Sequence, residues 1–152
     1  MVHPGSQRYF DDVELGEEFE ESQAPSSEQV KQFLGQTRHM GLDGKKDAGI
    51  DRFTDTAEAR SQGLERAVVP GSMSMAMIMR LVTDWMGPLG RIMELDVSYR
   101  RPVLHDDKLR LLGLVTDAET PPHVHLDLAL ENERGERPLQ GTAVVELPTK
   151  ST

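Results

Sequence analysis

The sequence predicts an α+β fold in which an antiparallel sheet curves around one long helix. Residues 91–148 alternate apolar and polar side chains in short runs, as strands with one buried face do. Residues 71–86 form the most apolar segment, whereas residues 1–69 are polar and punctuated by glycine. Because four short strands cannot bury their faces alone, the simplest architecture wraps them around the apolar segment.

The polar first half is expected to form helices and long loops. Residues 1–69 are rich in Asp, Glu, Gln and Ser, with glycine at positions 35, 41, 44, 49 and 63. Glycine interrupts regular structure, so loops are expected between these helices.

Helix start and stop signals bound the apolar segment. Pro70 precedes it, and Gly87 and Pro88 follow it, which predicts a helix over residues 71–86. A helix that is apolar nearly all round must be wrapped by other structure. Its thin polar stripe consists of Ser72, Ser74, Arg80 and Asp84.

Four strands are expected in the second half of the chain. We place them at about residues 92–100, 108–117, 123–131 and 139–147. Turn-forming residues separate them at 102–107, at 120–122 and around Gly135. Such a sheet has exposed edges that a second copy can pair into one continuous sheet. We therefore expect a dimer that buries more than about 1,000 Å².

Composition and charge exclude several function classes. The 152 residues suit one domain, and 37% hydrophobic with 28% charged residues is a globular composition. A net charge of −9 argues against nucleic acid as a partner. The chain lacks cysteine, which excludes thiolate metal sites and Cys nucleophiles. No apolar run approaches the roughly 20 residues of a membrane span and no signal pattern opens the chain, so we expect a cytoplasmic protein.

Four sequence motifs carry a family resemblance. They are residues 8–19 (RYFDDVELGEEF), 53–55 (FTD), 69–75 (VPGSMSM) and 99–107 (YRRPVLHDD). In order and spacing they resemble the MaoC-like hydratases of the hotdog fold, in which a sheet wraps a central helix and two protomers join edge to edge. The resemblance implies a single hotdog domain over residues 1–152, in a homodimer, a larger homo-oligomer or a heteromer.

The resemblance also implies a reaction on an α,β-unsaturated acyl thioester, carried by CoA or acyl carrier protein, with no separate cofactor and no metal. In the hydratases a loop Asp and a His, with Asn-Pro between them, position the water. At the matching positions this chain has Phe53 instead of the His, and Ile50 and Asp51 instead of Asn-Pro. The nearest upstream acid, Asp47, is one place out of register with the family's Asp. In a second alignment of this loop with the family pattern, His39 takes the place of the missing catalytic residue. The candidate catalytic residues are therefore Asp47, His39 and Asp51.

Substrate binding is expected at the start of the predicted helix. Gly71, Ser72 and Met73 would contact the thioester, because free N–H groups at a helix start stabilise negative charge on a carbonyl oxygen. Phe53 would line the pocket, and Arg100 would belong to a basic patch for the CoA phosphates. Each feature also has a structural explanation. Glycine suits a helix start, methionine suits a core, and loop acids and arginines suit a solvated surface.

Three functions stay open at this level. The first is a hydratase or dehydratase of acyl thioesters with an atypical site. The second is a non-catalytic subunit that binds an acyl chain or completes a heteromer. The third is a hotdog enzyme with another reaction, such as thioester hydrolysis or a step in secondary metabolism. Fold alone does not decide among them.

Overall fold

The computed structural model describes residues 6–37 and 50–150, which form a five-stranded antiparallel sheet and a long helix. The sheet order is β1-β3-β4-β5-β2, so β1 and β2 are its edges. No helix among the described residues is long and apolar enough to span a bilayer. The strands are β1 (Glu18–Gln23), β2 (Arg91–Tyr99), β3 (Leu109–Asp117), β4 (His123–Glu131) and β5 (Leu139–Glu146). The helices are α1 (Ser27–Thr37), α2 (Thr56–Ser61) and α3 (Gly71–Met86), with short 3₁₀ helices at Phe10–Asp12 and Ile50–Phe53.

The predicted long helix and four predicted strands are confirmed. Helix α3 has the predicted bounds, and β2 to β5 begin and end within one residue of the predicted positions. The expectation of helices and long loops, drawn from the polar pattern of residues 1–69, is wrong at β1. This strand has the sequence EFEESQ, and within it only Phe19 is buried. Because only one side chain of this edge strand is buried, its sequence lacks the alternation of apolar residues that predicts a strand.

Helix α3 packs one face against the inner face of the sheet. Ile78, Leu81 and Val82 are fully buried, and they join the inner leucines and valines of β3, β4 and β5 in one core. The expected polar stripe does not coincide with the exposed face, since Ser74 is 2% exposed and Met79 is 40% exposed. The described part of one protomer therefore leaves an apolar side of this helix uncovered.

The N-terminal segment covers the C-terminal end of α3. Trp85 stacks on Phe19, with ring centroids 4.7 Å apart and an interplanar angle of 9°. The indole N–H of Trp85 donates to Glu17 Oε2 at 2.8 Å, and Arg8 pairs with the other oxygen of this carboxylate. Phe19 also lies against Gly113 of β3, where a Cβ would be 2.3 Å from the ring. A side chain at residue 113 would therefore displace Phe19 from the core.

An ionic cluster anchors the segment that leads into α3. Asp107 accepts a hydrogen bond from Arg66 Nη2 at 2.6 Å and another from the Leu104 N–H at 2.9 Å. Arg66 Nε donates to the His105 carbonyl at 3.0 Å, and the His105 N–H donates to the Ala67 carbonyl at 2.9 Å. Hydrogen bonds to ionised groups are about twice as strong as neutral ones. This cluster therefore fixes the chain that enters the helix.

Two carboxyl groups meet between β1 and α3. Glu21 lies on the inner side of β1, opposite Leu111 of β3, and interacts with Asp84 of α3. Burial raises the pKa of Glu21 above its usual value, and the charge of Asp84 and a hydrogen bond with it raise this pKa further, whereas Arg80 lowers it. Arg80 Nε lies 3.6 Å from Asp84 Oδ2. Ionising Glu21 is therefore unfavourable in the folded chain.

We expect Asp107→Asn to lower the free energy of unfolding by about 1.5–3 kcal/mol, because a hydrogen bond to a buried charged group is lost. Asp106→Asn is the matched control. Asp106 is exposed and has φ +64°, a conformation that asparagine tolerates, so its change should stay within about 0.5 kcal/mol. Urea unfolding of both variants measures the difference. Equal losses in the two variants would contradict an anchoring role for Asp107.

We expect Glu21→Gln to stabilise the protein as pH rises above about 4.5. A raised pKa in the folded state means that the stability contributed by protonated Glu21 is full below the unfolded pKa and is lost as pH rises through the folded pKa. Glutamine cannot ionise, so the variant avoids this loss. Unfolding free energies at pH 4, 6 and 8 should show an advantage that grows with pH. Glu18→Gln, on the outer side of the same strand, is the matched control, and an equal growth in both variants would contradict the role of Glu21.

Candidate functional site

Helix α3 begins with two backbone N–H groups that make no hydrogen bond within the described residues. Met73 and Ser74 donate their N–H groups to the Pro70 carbonyl at 3.0 and 3.1 Å, which leaves those of Gly71 and Ser72. Gly71 and Ser72 are both exposed. The helix dipole adds partial positive charge at this end. The start of α3 can therefore bind an anion or an oxygen that gains negative charge.

Tyr99 is the neighbour of Gly71 that sequence reasoning missed. Its hydroxyl donates to the Gly71 carbonyl at 2.8 Å, and a Cβ on Gly71 would lie 3.2 Å from its ring. Tyr99 is the last residue of β2 and is 52% exposed. Strand alternation alone would place it on the inner face, but the sequence does not show which helix residue it meets. Glycine at position 71 thus has a packing reason, because a side chain there would press on the Tyr99 ring.

Phe53 lies close to the chain segment that enters α3. It ends the 3₁₀ helix at Ile50–Phe53, where the Arg52 carbonyl accepts a hydrogen bond from the Val68 N–H at 2.9 Å. Phe53 is half-buried and packs against the core. The Arg52 guanidinium carbon lies 4.9 Å from the centre of its ring. A phenyl ring cannot accept or donate the proton that an imidazole can.

Of the three candidate catalytic residues, only Asp51 lies within the described part of the chain. His39 and Asp47 lie outside the described residues. Asp51 lies in the same 3₁₀ helix as Phe53, two residues before it. Asp55 is a separate acid nearby, and it caps α2 by accepting hydrogen bonds from the N–H groups of Ala57 and Glu58 at 2.8 and 3.4 Å. Its role is therefore structural.

The remaining predicted binding residues do not lie together. On α3, Met73 is half-buried against the core, whereas Ser72 is exposed. Arg100 lines a shallow depression on the outer face of the sheet, together with Asp96 and Ser98. In one chain it therefore lies on the opposite face from Tyr99. The expected basic patch is partly neutralised, because Arg101 and Arg110 form ion pairs with glutamates.

The main groove of the described part of the chain lies away from the start of α3. A groove of about 1110 Å³ is lined by residues of β1, β3 and β4, including Glu20 and Arg110, but its lining contains neither Gly71 nor Phe53. Within the same residues, no three His, Asp or Glu side chains are grouped to hold a metal. The described residues of a single chain thus leave the helix start on open surface.

Comparisons with known proteins rest on solved structures. No protein-family model matches the chain, and no curated protein matches it. An (R)-hydratase from A. caviae involved in PHA biosynthesis is 22% identical, with a TM-score of 0.77 over 90% of this chain and 98% of that one. A MaoC-like dehydratase from Rhodospirillum rubrum is 20% identical, with a TM-score of 0.71 over 95% and 99% of the two chains. A chain of the ChsH1-ChsH2 complex from Mycobacterium tuberculosis is 19% identical, with a TM-score of 0.74 over 89% and 98%.

These likenesses extend over almost the whole of both chains at identities near 20%. Such similarity establishes a shared fold, whereas reactions vary among proteins of one fold. The five-stranded antiparallel sheet with its long helix matches these structures. The chain therefore has the hotdog fold, the fold of the matched MaoC-like dehydratase and (R)-hydratase.

Proposed function

We propose that this chain is a MaoC-like hydratase or dehydratase of α,β-unsaturated acyl thioesters with an atypical active site. The observation that carries the proposal is the exposed start of α3, where the N–H groups of Gly71 and Ser72 have no partner in the described residues. Two free amide donors at a helix start suit the carbonyl oxygen of a thioester. The likeness to hydratases and dehydratases supports the same reaction class.

The proposed chemistry needs one base, one acid and an oxyanion site. A base removes a proton from water, the hydroxyl adds to the β-carbon, and an acid delivers a proton to the α-carbon. Negative charge that collects on the thioester oxygen is held by the two amides at the helix start. Dehydration is the reverse path. No cofactor is required beyond the CoA or acyl carrier protein that carries the acyl group.

The acid and base must come from residues other than Phe53. In this proposal His39, Asp47 or Asp51 supplies the proton transfers. Asp51 has support from its place on the 3₁₀ helix that contacts residue 68, three residues before Gly71. General acid and base groups each contribute about 10²–10⁴-fold to such reactions. If the acid or the base is poorly placed, the enzyme would therefore be slow rather than inactive.

The second candidate function is a non-catalytic subunit that binds acyl chains or completes a heteromer. Phe53 favours it, because a half-buried phenyl ring makes the surface near the helix start apolar. The match to a chain of the ChsH1-ChsH2 complex is compatible with such a role. In that case the thioester would still bind at Gly71, and a partner chain would supply the proton transfers.

We expect Phe53→His to raise a weak hydration activity, by up to about 10²-fold if a nearby acid orients the imidazole. The matched control is Phe53→Leu, which keeps an apolar side chain and adds no titratable group. The loss of crotonyl-CoA absorbance measures the hydration rate of the unchanged chain and of both variants. Rapid hydration by the unchanged chain that collapses in His39→Ala or Asp47→Ala would contradict the subunit role. If the unchanged chain and all variants bind acyl-CoA but show no hydration activity, the enzyme role is contradicted.

We expect Gly71→Val to reduce kcat/KM by roughly 10²–10³-fold, because a side chain there blocks close approach to the amide donors. The same valine would also press on Tyr99, so the test includes the double variant Gly71→Val/Tyr99→Ala, which removes this crowding. A loss that persists in the folded double variant supports an oxyanion site at the helix start. Full recovery in the double variant would show that Gly71 serves packing alone.

A further inference from the structure

One peptide group links Tyr99 to the amide donors at the start of α3. The Gly71 carbonyl and the Ser72 N–H are the two ends of this single planar group. The Tyr99 hydroxyl donates to that carbonyl at 2.8 Å, and the Ser72 N–H has no partner within the described residues. A hydrogen bond made at one end of the group therefore acts on the donor at its other end.

We infer that Tyr99 is a positioning residue that strengthens the Ser72 N–H as a donor to a thioester oxygen. The inference rests on the proposed function, which supplies the thioester. Hydrogen bonds in a chain polarise one another, by about 10–30% per bond. Donation from Tyr99 draws electron density toward the Gly71 carbonyl oxygen and leaves the Ser72 amide hydrogen more positive. It also fixes the plane of the peptide group, and with it the direction of the Ser72 N–H bond.

The start of α3 lacks the side-chain cap that commonly holds a first helical turn. Its N-cap is Pro70, which makes no side-chain hydrogen bond, and no acidic residue lies in its first turn. A Ser, Thr, Asp or Asn cap accepts from the N–H of the second or third helical residue, as Asp55 does from Ala57 and Glu58 in α2. The second helical residue of α3 is Ser72, so a cap of that kind would compete for the donor that a thioester needs.

Tyr99 holds this first turn without using either free donor. Its hydroxyl bonds to the carbonyl of Gly71, and its ring lies where a Cβ on Gly71 would come within 3.2 Å. The contact is thus made to the oxygen and the Cα of the first helical residue, and the N–H groups of Gly71 and Ser72 are left for a ligand. A helix start with available N–H groups is suited to a negatively charged or polarised oxygen.

The sheet keeps Tyr99 in place. Tyr99 is the last residue of β2 and lies opposite the buried Leu139 of β5. The next residue, Arg100, donates its N–H to the Pro138 carbonyl at 2.7 Å, so the pairing of β2 with this part of the chain continues past Tyr99. Functional side chains on strands are held more precisely than those on loops. Because the hydroxyl proton is directed to the Gly71 carbonyl, Tyr99 acts through the peptide group and not on the substrate itself.

The carbonyl carbon of a bound thioester reports this effect without any reaction. Butyryl-CoA labelled with carbon-13 at the thioester carbonyl is saturated, so it cannot be hydrated, and its resonance moves downfield when the carbonyl oxygen accepts hydrogen bonds. We expect Tyr99→Phe, which keeps the ring against Gly71, to reduce this displacement by about 10–30%. The matched control is Tyr9→Phe, because Tyr9 lies in the N-terminal segment beside Lys150, and it should leave the displacement unchanged.

Hydration of crotonyl-CoA gives a second readout. We expect Tyr99→Phe to lower kcat by about three- to tenfold, the effect of one hydrogen bond, with KM almost unchanged. The contact strengthens as negative charge develops, so it acts on the transition state more than on the bound substrate. Partial unfolding would also lower kcat, but it would not change the carbonyl displacement of the bound ligand. The expected loss is smaller than the 10²–10³-fold expected for Gly71→Val, so loss of the Tyr99 hydroxyl cannot by itself explain a loss of that size in the double variant.

Failure of this inference and failure of the proposed function give different results. If the unchanged chain hydrates crotonyl-CoA, and Tyr99→Phe equals it in carbonyl displacement and in kcat, the inference is overturned and the proposed function stands. If the unchanged chain does not hydrate crotonyl-CoA, but the displacement falls in Tyr99→Phe and not in Tyr9→Phe, the proposed reaction fails and the role of Tyr99 is supported. If butyryl-CoA does not bind, or binds without a downfield displacement in the unchanged chain, the inference is overturned whatever the hydration rate.

Discussion

A single sheet can cover only one side of an apolar helix, and this constraint governs the rest of the structure. Ile78, Leu81 and Val82 are buried in the core that α3 forms with the sheet. The far side of α3 retains Met79 at the surface. The N-terminal segment covers the C-terminal end of α3 at Trp85. The start of the helix at Gly71 stays exposed.

The two ends of α3 therefore differ in what they can do. At the C-terminal end, Trp85 is held by a ring stack and by the carboxylate of Glu17, so that end is fixed. At the other end, the N–H groups of Gly71 and Ser72 have no partner among the described residues, and the Tyr99 hydroxyl donates to the Gly71 carbonyl in the first turn. Fixed donors that need no rearrangement before they meet a developing charge are what electrostatic catalysis requires.

Sequence reasoning succeeded where a pattern is local. Pro70 and Gly87 mark the ends of α3, and period-two alternation marks β2 to β5. It failed where the determining contact is distant along the chain. The Asp107 carboxylate meets Arg66 from 41 residues away, and Tyr99 meets Gly71 from 28 residues away. No periodicity encodes either contact, because both depend on how the strands and loops are placed around the helix.

The acidic β1 has a consequence for unwanted association. The edge of a sheet offers unpaired backbone groups to any strand that approaches it, which is how fibres begin. At β1 an approaching strand would meet Glu18, Glu20 and Glu21, and among the described residues Arg110 pairs with only one of them, Glu20. A second acidic edge would therefore be repelled, so this side of the sheet resists the stacking of chain upon chain that produces fibres.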